Sequence, residues 1–188
     1  MILPIYIYGW PLLRKKSEDI TPGYPELQQL IADMYETMYQ AEGCGLAAPQ
    51  IGRNIRVIVI DGAPLADDEK PDDTLKTFKK VFINPVITER AGEEWVNEEG
   101  CLSFPKLREQ VKRPSKVKIE YIDENFQPHS EEYDGMAARI IQHEYDHIEG
   151  VFFIDRVSPL RRKLITAKLI SIAKGKTDCP YKIKVYKK

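Results

Sequence analysis

The sequence predicts an α+β fold: antiparallel or mixed β-sheets surrounding a central helix, with one helix nearer the N-terminus and another nearer the C-terminus. Three observations carry this prediction. Leu27, Leu30, Ile31, Met34, Tyr35 and Met38 recur at spacings of three and four, the period of an amphipathic helix. Several short segments are β-branched or alternate apolar with polar residues, the period of a strand. Ala137, Ala138, Ile140 and Ile141 mark a helix that is buried, and a buried helix among strand-like runs fits a helix held between sheets. At 188 residues with 43% hydrophobic content, the chain fits one domain, 1–188, with a sizeable core.

In order along the chain, Thr21-Pro22 opens the first helix, which ends near Gly43. Residues 56–60 form a β-branched run and read as a strand. The acidic stretch 61–77, with Pro64 and Pro71, reads as a mobile loop. Further strands are expected at 79–90, 115–122 and 129–134. Gly135 precedes the central helix, 136–149. Ser158-Pro159 opens the last helix, 159–174, with Leu160, Leu164, Ala167, Ile170 and Ile172 on one side and Arg161, Arg162, Lys163 and Lys168 largely elsewhere. After Gly175, residues 181–186 alternate and add a final strand. There are no internal repeats.

Composition narrows the setting. A net charge of −1 argues against a chain whose main task is wrapping nucleic acid, so no DNA partner is expected. The charge is uneven: residues 61–73 hold six acids and one lysine, whereas 156–188 hold eleven Lys/Arg and one Asp. The first thirteen residues lack a basic leader and are too short to span a bilayer, so neither a signal peptide nor a membrane anchor is expected. Three cysteines make no disulfide framework, which points to a reducing cytoplasm.

The chemistry concentrates in Gln142-His143-Glu144-Tyr145-Asp146-His147. On a helix, positions i and i+4 share a face, so His143 and His147 can grip one metal ion, with Glu144 beside it to handle the protons of a metal-bound water. Only three histidines occur in the chain, and two fall at this spacing. A catalytic metal site keeps about three protein ligands and one open position. Downstream, Phe153 stands where the extended three-histidine pattern has its last ligand, and no glutamate follows Glu149. The third ligand is therefore expected upstream, among His129, Cys44 and Cys101. His129 lies in a segment read as an exposed turn, while both cysteines stand beside glycines that let backbone pass close to a ligand or metal.

Segments 43–50 (Gly-Cys-Gly-Leu-Ala-Ala-Pro-Gln), 99–103 (Glu-Gly-Cys-Leu-Ser) and 142–147 resemble, in order and spacing, the three signature motifs of the peptide deformylases. These enzymes remove the N-formyl group from newly made polypeptides. The likeness extends from the N-terminus to about residue 165. It implies Cys101, His143 and His147 as metal ligands, Glu144 as general base and acid, and Gln50 with the Leu102 backbone N–H as oxyanion donors. It further implies one Fe2+ per chain, for which Zn2+, Ni2+ or Co2+ can substitute, and formyl-methionyl nascent chains as substrate in a bacterial cytoplasm. A thiolate with two imidazoles suits these metals and not Mg2+ or Ca2+.

The same resemblance places Gly45, Leu46, Cys44, Glu99, Arg108 and Ile140 at substrate-binding positions. Gly45 and Leu46 offer backbone to a peptide added at a sheet edge. Cys44, Ile140 and His143 form the methionine pocket. Glu99 and Arg113 also brace the metal loop, with Asp146 pairing to Arg113. Arg139 and Asn97 depart from the pattern, standing where apolar residues are common. The basic C-terminal region, 159–188, is a candidate ribosome contact. Two other readings compete: a peptidase cutting internal bonds, which the downstream sequence gives no ligand, and a binding protein on the same fold, which would need no Glu144.

Overall fold

The computed structural model describes residues 1–187 except 68, 71 and 72. Its strands and helices, in chain order, are β1 (Ile5–Tyr6), α1 (Leu27–Gln40), β2 (Gly45–Ala47), β3 (Val57–Asp61), β4 (Lys79–Cys101), β5 (Phe104–Ile122), β6 (Pro128–Asp134), α2 (Gly135–Ile148), α3 (Pro159–Leu164), α4 (Thr166–Ala173) and β7 (Ile183–Lys184). Five strands form an antiparallel sheet in the order β2-β3-β4-β5-β6, and β1 pairs with β7 in parallel. Helix α2 lies against β2, β3, β5 and β6, so the expected α+β arrangement around a central helix is present.

α2 is buried by its own composition. Ala138, Ile140, Ile141 and Ile148 join Ile58, Ile60, Phe82, Val117 and Ile119 of the sheet in one apolar cluster. α1 covers the other side of β2 and β3 through Ile31, Met34 and Met38. It starts at Leu27, later than Thr21-Pro22 suggested. Gly23 sits at φ +88°, and Pro25 disfavours helical backbone at the residue before it, so 21–26 turn instead of coiling.

The hairpin β4–β5 is much longer than the expected strands. Residues 91–101 and 104–114 continue it, with bulges that include one near Gly92 (φ +77°). Alternation persists along β5, but two of its inward positions are charged, Glu109 and Arg113, so hydropathy alone did not reveal a strand.

Three further expectations are corrected. The stretch read as a mobile loop contains short 3-10 turns at Ala63–Leu65 and Thr74–Thr77 and buries Leu75; residues 68, 71 and 72 lie outside those described. His129 is no exposed turn residue: it pairs with Tyr121 in β6, stacks on that ring at 5.0 Å, and lies 2.9 Å from Asp123 Oδ2. The last helix is two, divided at Ile165, and its buried face is Ile165, Leu169 and Ile172, which pack on Phe104, Leu107 and Phe152. Leu160, Leu164 and Ile170, expected to pack, are exposed. The final strand exists but is short.

Candidate active site

His143 and His147 project from the same face of α2, their ring centroids 5.3 Å apart. The end of β4 meets them. Cys101 pairs with Phe104 across a two-residue turn, Leu102-Ser103, and its Sγ lies 3.2 Å from His147 Nε2. One donor atom each from Cys101, His143 and His147 falls within 4.8 Å of the others. The remaining upstream candidates are not part of this group: His129 is held by Asp123, and Cys44 packs against the apolar cluster of α2 and the sheet.

A buried ionic web fixes the histidine face. Glu99 accepts from Arg113 Nε (2.6 Å) and Nη2 (2.9 Å), from Arg139 Nη1 (2.6 Å), and from His143 Nδ1 (2.9 Å). A carboxylate can only accept, so His143 carries its proton on Nδ1 and leaves Nε2 free for a metal. Burial alone would push the Glu99 carboxyl up, but the hydrogen bonds from Arg113 and His143 outweigh it and hold it well below the usual carboxylate range. Arg113, 1% exposed, also donates to Asp146 Oδ2 at 2.7 Å, and Arg156 donates to both Asp146 oxygens. The expected Arg113–Asp146 pair is thus an interior one, joining β5 to α2.

Glu144 is 5% exposed, and its Oε2 has no hydrogen-bond partner. Burial pushes its carboxyl up to about 7, a value suited to exchanging protons near neutrality. Space for this carboxylate comes from Gly45, where an added Cβ would stand 2.5 Å from Glu144 Oε1 and 2.7 Å from its Cγ. Gly45→Ala should therefore displace the carboxylate, lowering kcat by about tenfold or more for a sub-ångström-to-ångström misplacement. Circular dichroism should stay native; a kcat within twofold of the parent would refute the steric argument.

Gln50 follows β2 in a short 3-10 turn and is 1% exposed. Its Oε1 accepts from the Ala47 N–H (2.9 Å), which aims Nε2 at Ser103 Oγ (3.2 Å) and Cys101 Sγ (3.6 Å). A cavity of about 740 Å³ opens over these groups. Its walls include Cys44, Gly45, Gln50, Glu99, Cys101, Leu102, Arg108, Ile140, His143 and Glu144. Leu46 lies apart from the cavity, its side chain in the core. β2 is the edge strand of its sheet; because Asp61 N–H donates to Cys44 O, antiparallel alternation turns Leu46's polar backbone toward β3 and leaves that of Gly45 on the open side. Arg108 is ion-paired with Glu98 at 2.6 Å.

Sequence reasoning did not assign Arg139 a partner. The structure buries it against Glu99, the Val111 and Trp95 carbonyls, and the Trp95 ring at 4.1 Å. The available signal was a lone charge on a face otherwise built of Ala and Ile. Arg156 and Tyr181 were missed without any such signal.

The family model described as polypeptide deformylase matches residues 2–163. The chain belongs to the polypeptide deformylase family. It is 54% identical over 188 residues to a peptide deformylase of Christiangramia forsetii, spanning 98% of this chain and 96% of that protein. A peptide deformylase of Flavobacterium johnsoniae is 55% identical over the same shares. Among solved structures, a Legionella pneumophila peptide deformylase superposes with a TM-score of 0.79 at 36% identity, covering 94% of this chain and 98% of that one. As a deformylase the chain is a metal-dependent hydrolase that removes N-formyl groups from nascent peptides. Its donor set fits a resident metal: three converging ligand atoms, a histidine oriented by a carboxylate, and beside them a buried Glu144 Oε2 that no protein atom satisfies.

Proposed function

We propose that Cys101, His143 and His147 hold the catalytic metal, that Glu144 moves the protons, and that Gln50 and the Leu102 N–H receive the oxyanion. The observation that carries this reading is the convergence of the three donor atoms beside a buried carboxyl pushed to about 7. When bound, the metal supplies the Lewis acidity that makes water a nucleophile near neutral pH. Water adds to the formyl carbon and yields a proton to Glu144. The formyl oxygen, gaining negative charge, accepts hydrogen bonds from the Gln50 amide, already aimed by Ala47, and from the Leu102 N–H. The C–N bond then breaks, Glu144 returns its proton to the departing amine, and formate leaves.

Around this centre, Cys44 and Ile140 wall the pocket for the methionine side chain with His143, and Gly45 presents unpaired backbone for the peptide to add as a strand. Glu99 acts through His143 rather than on substrate. Arg108 stands at the cavity where a substrate backbone or carboxylate would pass. The whole of 1–188 serves as one domain. Formate release from a short formyl-methionyl peptide, by protein purified without oxygen and loaded with Fe(II) or Ni(II), tests the assignment; metal-loaded protein without turnover would overturn it.

Iron(II) is the proposed resident metal, with Zn, Ni or Co able to take the same ligands. A thiolate-bound ferrous site is open to oxidation, so the iron form should lose activity within hours in air while the nickel form keeps it. Undiminished activity of aerated iron protein would refute this. The cytoplasm is the proposed compartment, supported by three free thiols; among the described residues no helix is long and apolar enough to cross a membrane. Contact with the ribosome through 159–188 is supported by the basic charge there and by exposed Leu160 and Leu164. Charge reversal at Arg161, Arg162 and Lys163 should release the protein from pelleted ribosomes; unchanged pelleting would count against the contact.

A further inference from the structure

Both carbonyls of the turn beside Cys101 are engaged by distant parts of the chain. Tyr8 N–H donates to Ser103 O at 2.8 Å, and the Tyr181 hydroxyl donates to Leu102 O at 2.9 Å. The two donating segments are bound to each other. Ile5 pairs with Ile183 and Tyr6 with Lys184, Trp10 Nε1 donates to Lys184 O at 2.8 Å, and the Trp10 ring meets Tyr186 edge-on at 5.1 Å. Pro180 and Tyr181 also line the catalytic cavity, although the family match ends at residue 163.

We propose that Tyr181 is a positioning residue for deformylation, its hydroxyl setting the Leu102–Ser103 turn so that the Leu102 N–H points at the developing oxyanion. This inference rests on the reading of that N–H as an oxyanion donor. Each peptide unit is planar and rigid, so the donor's orientation is set by the planes and anchors on either side of it. On one side stands Cys101, anchored as a ligand. On the other stands the Leu102–Ser103 peptide, whose carbonyl Tyr181 tethers. The strand ladder alone is a poor anchor here, because its register shifts between Gly100 and Cys101. Oxyanion donors act by being fixed before charge develops, so a loosened donor loses transition-state stabilisation while substrate affinity is kept. Burial, with Cys179 and Cys101 close by, raises the Tyr181 phenol above its usual range and keeps it a donor.

Tyr181→Phe removes the hydroxyl and retains the ring that packs the tail. Since a neutral hydrogen bond is worth a modest net amount and the N–H is loosened rather than deleted, kcat should fall about tenfold, with KM within twofold of the parent. The melting temperature should fall by no more than a few degrees, and the visible spectrum of the Co(II)-loaded protein, which reports the Cys101 thiolate, should be unchanged. A kcat within twofold of the parent, a change confined to KM, or a kcat loss matched by lost Co(II) or an altered spectrum would each overturn the proposal. Gln50→Ala measured in parallel separates the two layers: it should lose about a hundredfold in kcat. Full kcat in Gln50→Ala would sink the oxyanion reading itself, whereas loss in Gln50→Ala alone would sink only the role of Tyr181.

Discussion

Glu144→Ala should lower kcat for formate release by about a thousandfold to ten-thousandfold, the upper range for loss of a positioned acid–base group. Metal content, measured by elemental analysis, should stay at the parent's level because Glu144 is not among the three converging donors. In the proposed mechanism both proton transfers fall to this one carboxyl, and the two buried carboxylates of the ionic web beside it, Glu99 and Asp146, are already held by guanidinium groups. The pH profile offers an independent check. Burial pushes the Glu144 carboxyl up to about 7 in the metal-free protein, and a cation beside it favours the ionised form. The base must be ionised to accept a proton, so kcat/KM should fall on the acid side through an apparent pKa below 7 in the loaded enzyme. That limb should vanish in Glu144→Ala. Activity within tenfold of the parent would remove Glu144 from the mechanism.

Arg113→Ala should cost about 3 to 5 kcal/mol of folding stability, the usual penalty for leaving buried partners uncompensated. Arg113 is 1% exposed, and its removal strips two hydrogen bonds from Glu99 and one from Asp146, both inside the protein. Arg139 and Arg156 remain on those carboxylates, which places the expected loss nearer the lower figure. Urea unfolding of metal-free protein measures it. Since Glu99 would then hold His143 less firmly, metal affinity should also weaken by about 10- to 100-fold in competition with a chelator. A stability change under about 1 kcal/mol would mean the web behaves as surface ion pairs do.

Much of the site was legible because its chemistry is local in sequence. His143, Glu144 and His147 are spaced by one helical turn, whereas the glycines beside Cys44 and Cys101 did not separate the two, and Cys101 was assigned through the resemblance of the three motifs. What the residues alone did not give is the long hairpin and most of the partnerships it sets; the Arg113–Asp146 pair was expected only through the family resemblance. Glu109 and Arg113 occupy inward positions of β5, and a strand whose buried side is charged looks like a solvated segment until its partners in α2 and α3 are known. Arg139 was visible as an anomaly, but its partner Glu99 is forty positions away. Leu160, Leu164 and Ile170 misled for the opposite reason: they have the right period for a packed face, yet the break at Ile165 turns Ile165, Leu169 and Ile172 inward instead.

The pairing of β1 with β7 has a consequence in time. Ile5 leaves the ribosome long before Ile183, its ladder partner, is synthesised, so the two cannot meet until the chain has been made at least that far. Contacts so distant in sequence carry a large loop-closure entropy and form late, after the local hairpin and the helices. The enzyme that clears formyl groups from growing chains would thus complete its own active-site turn only after its own translation has passed Ile183. In the mature protein the same two strands, only two residues each, should be among the earliest to exchange their amide hydrogens.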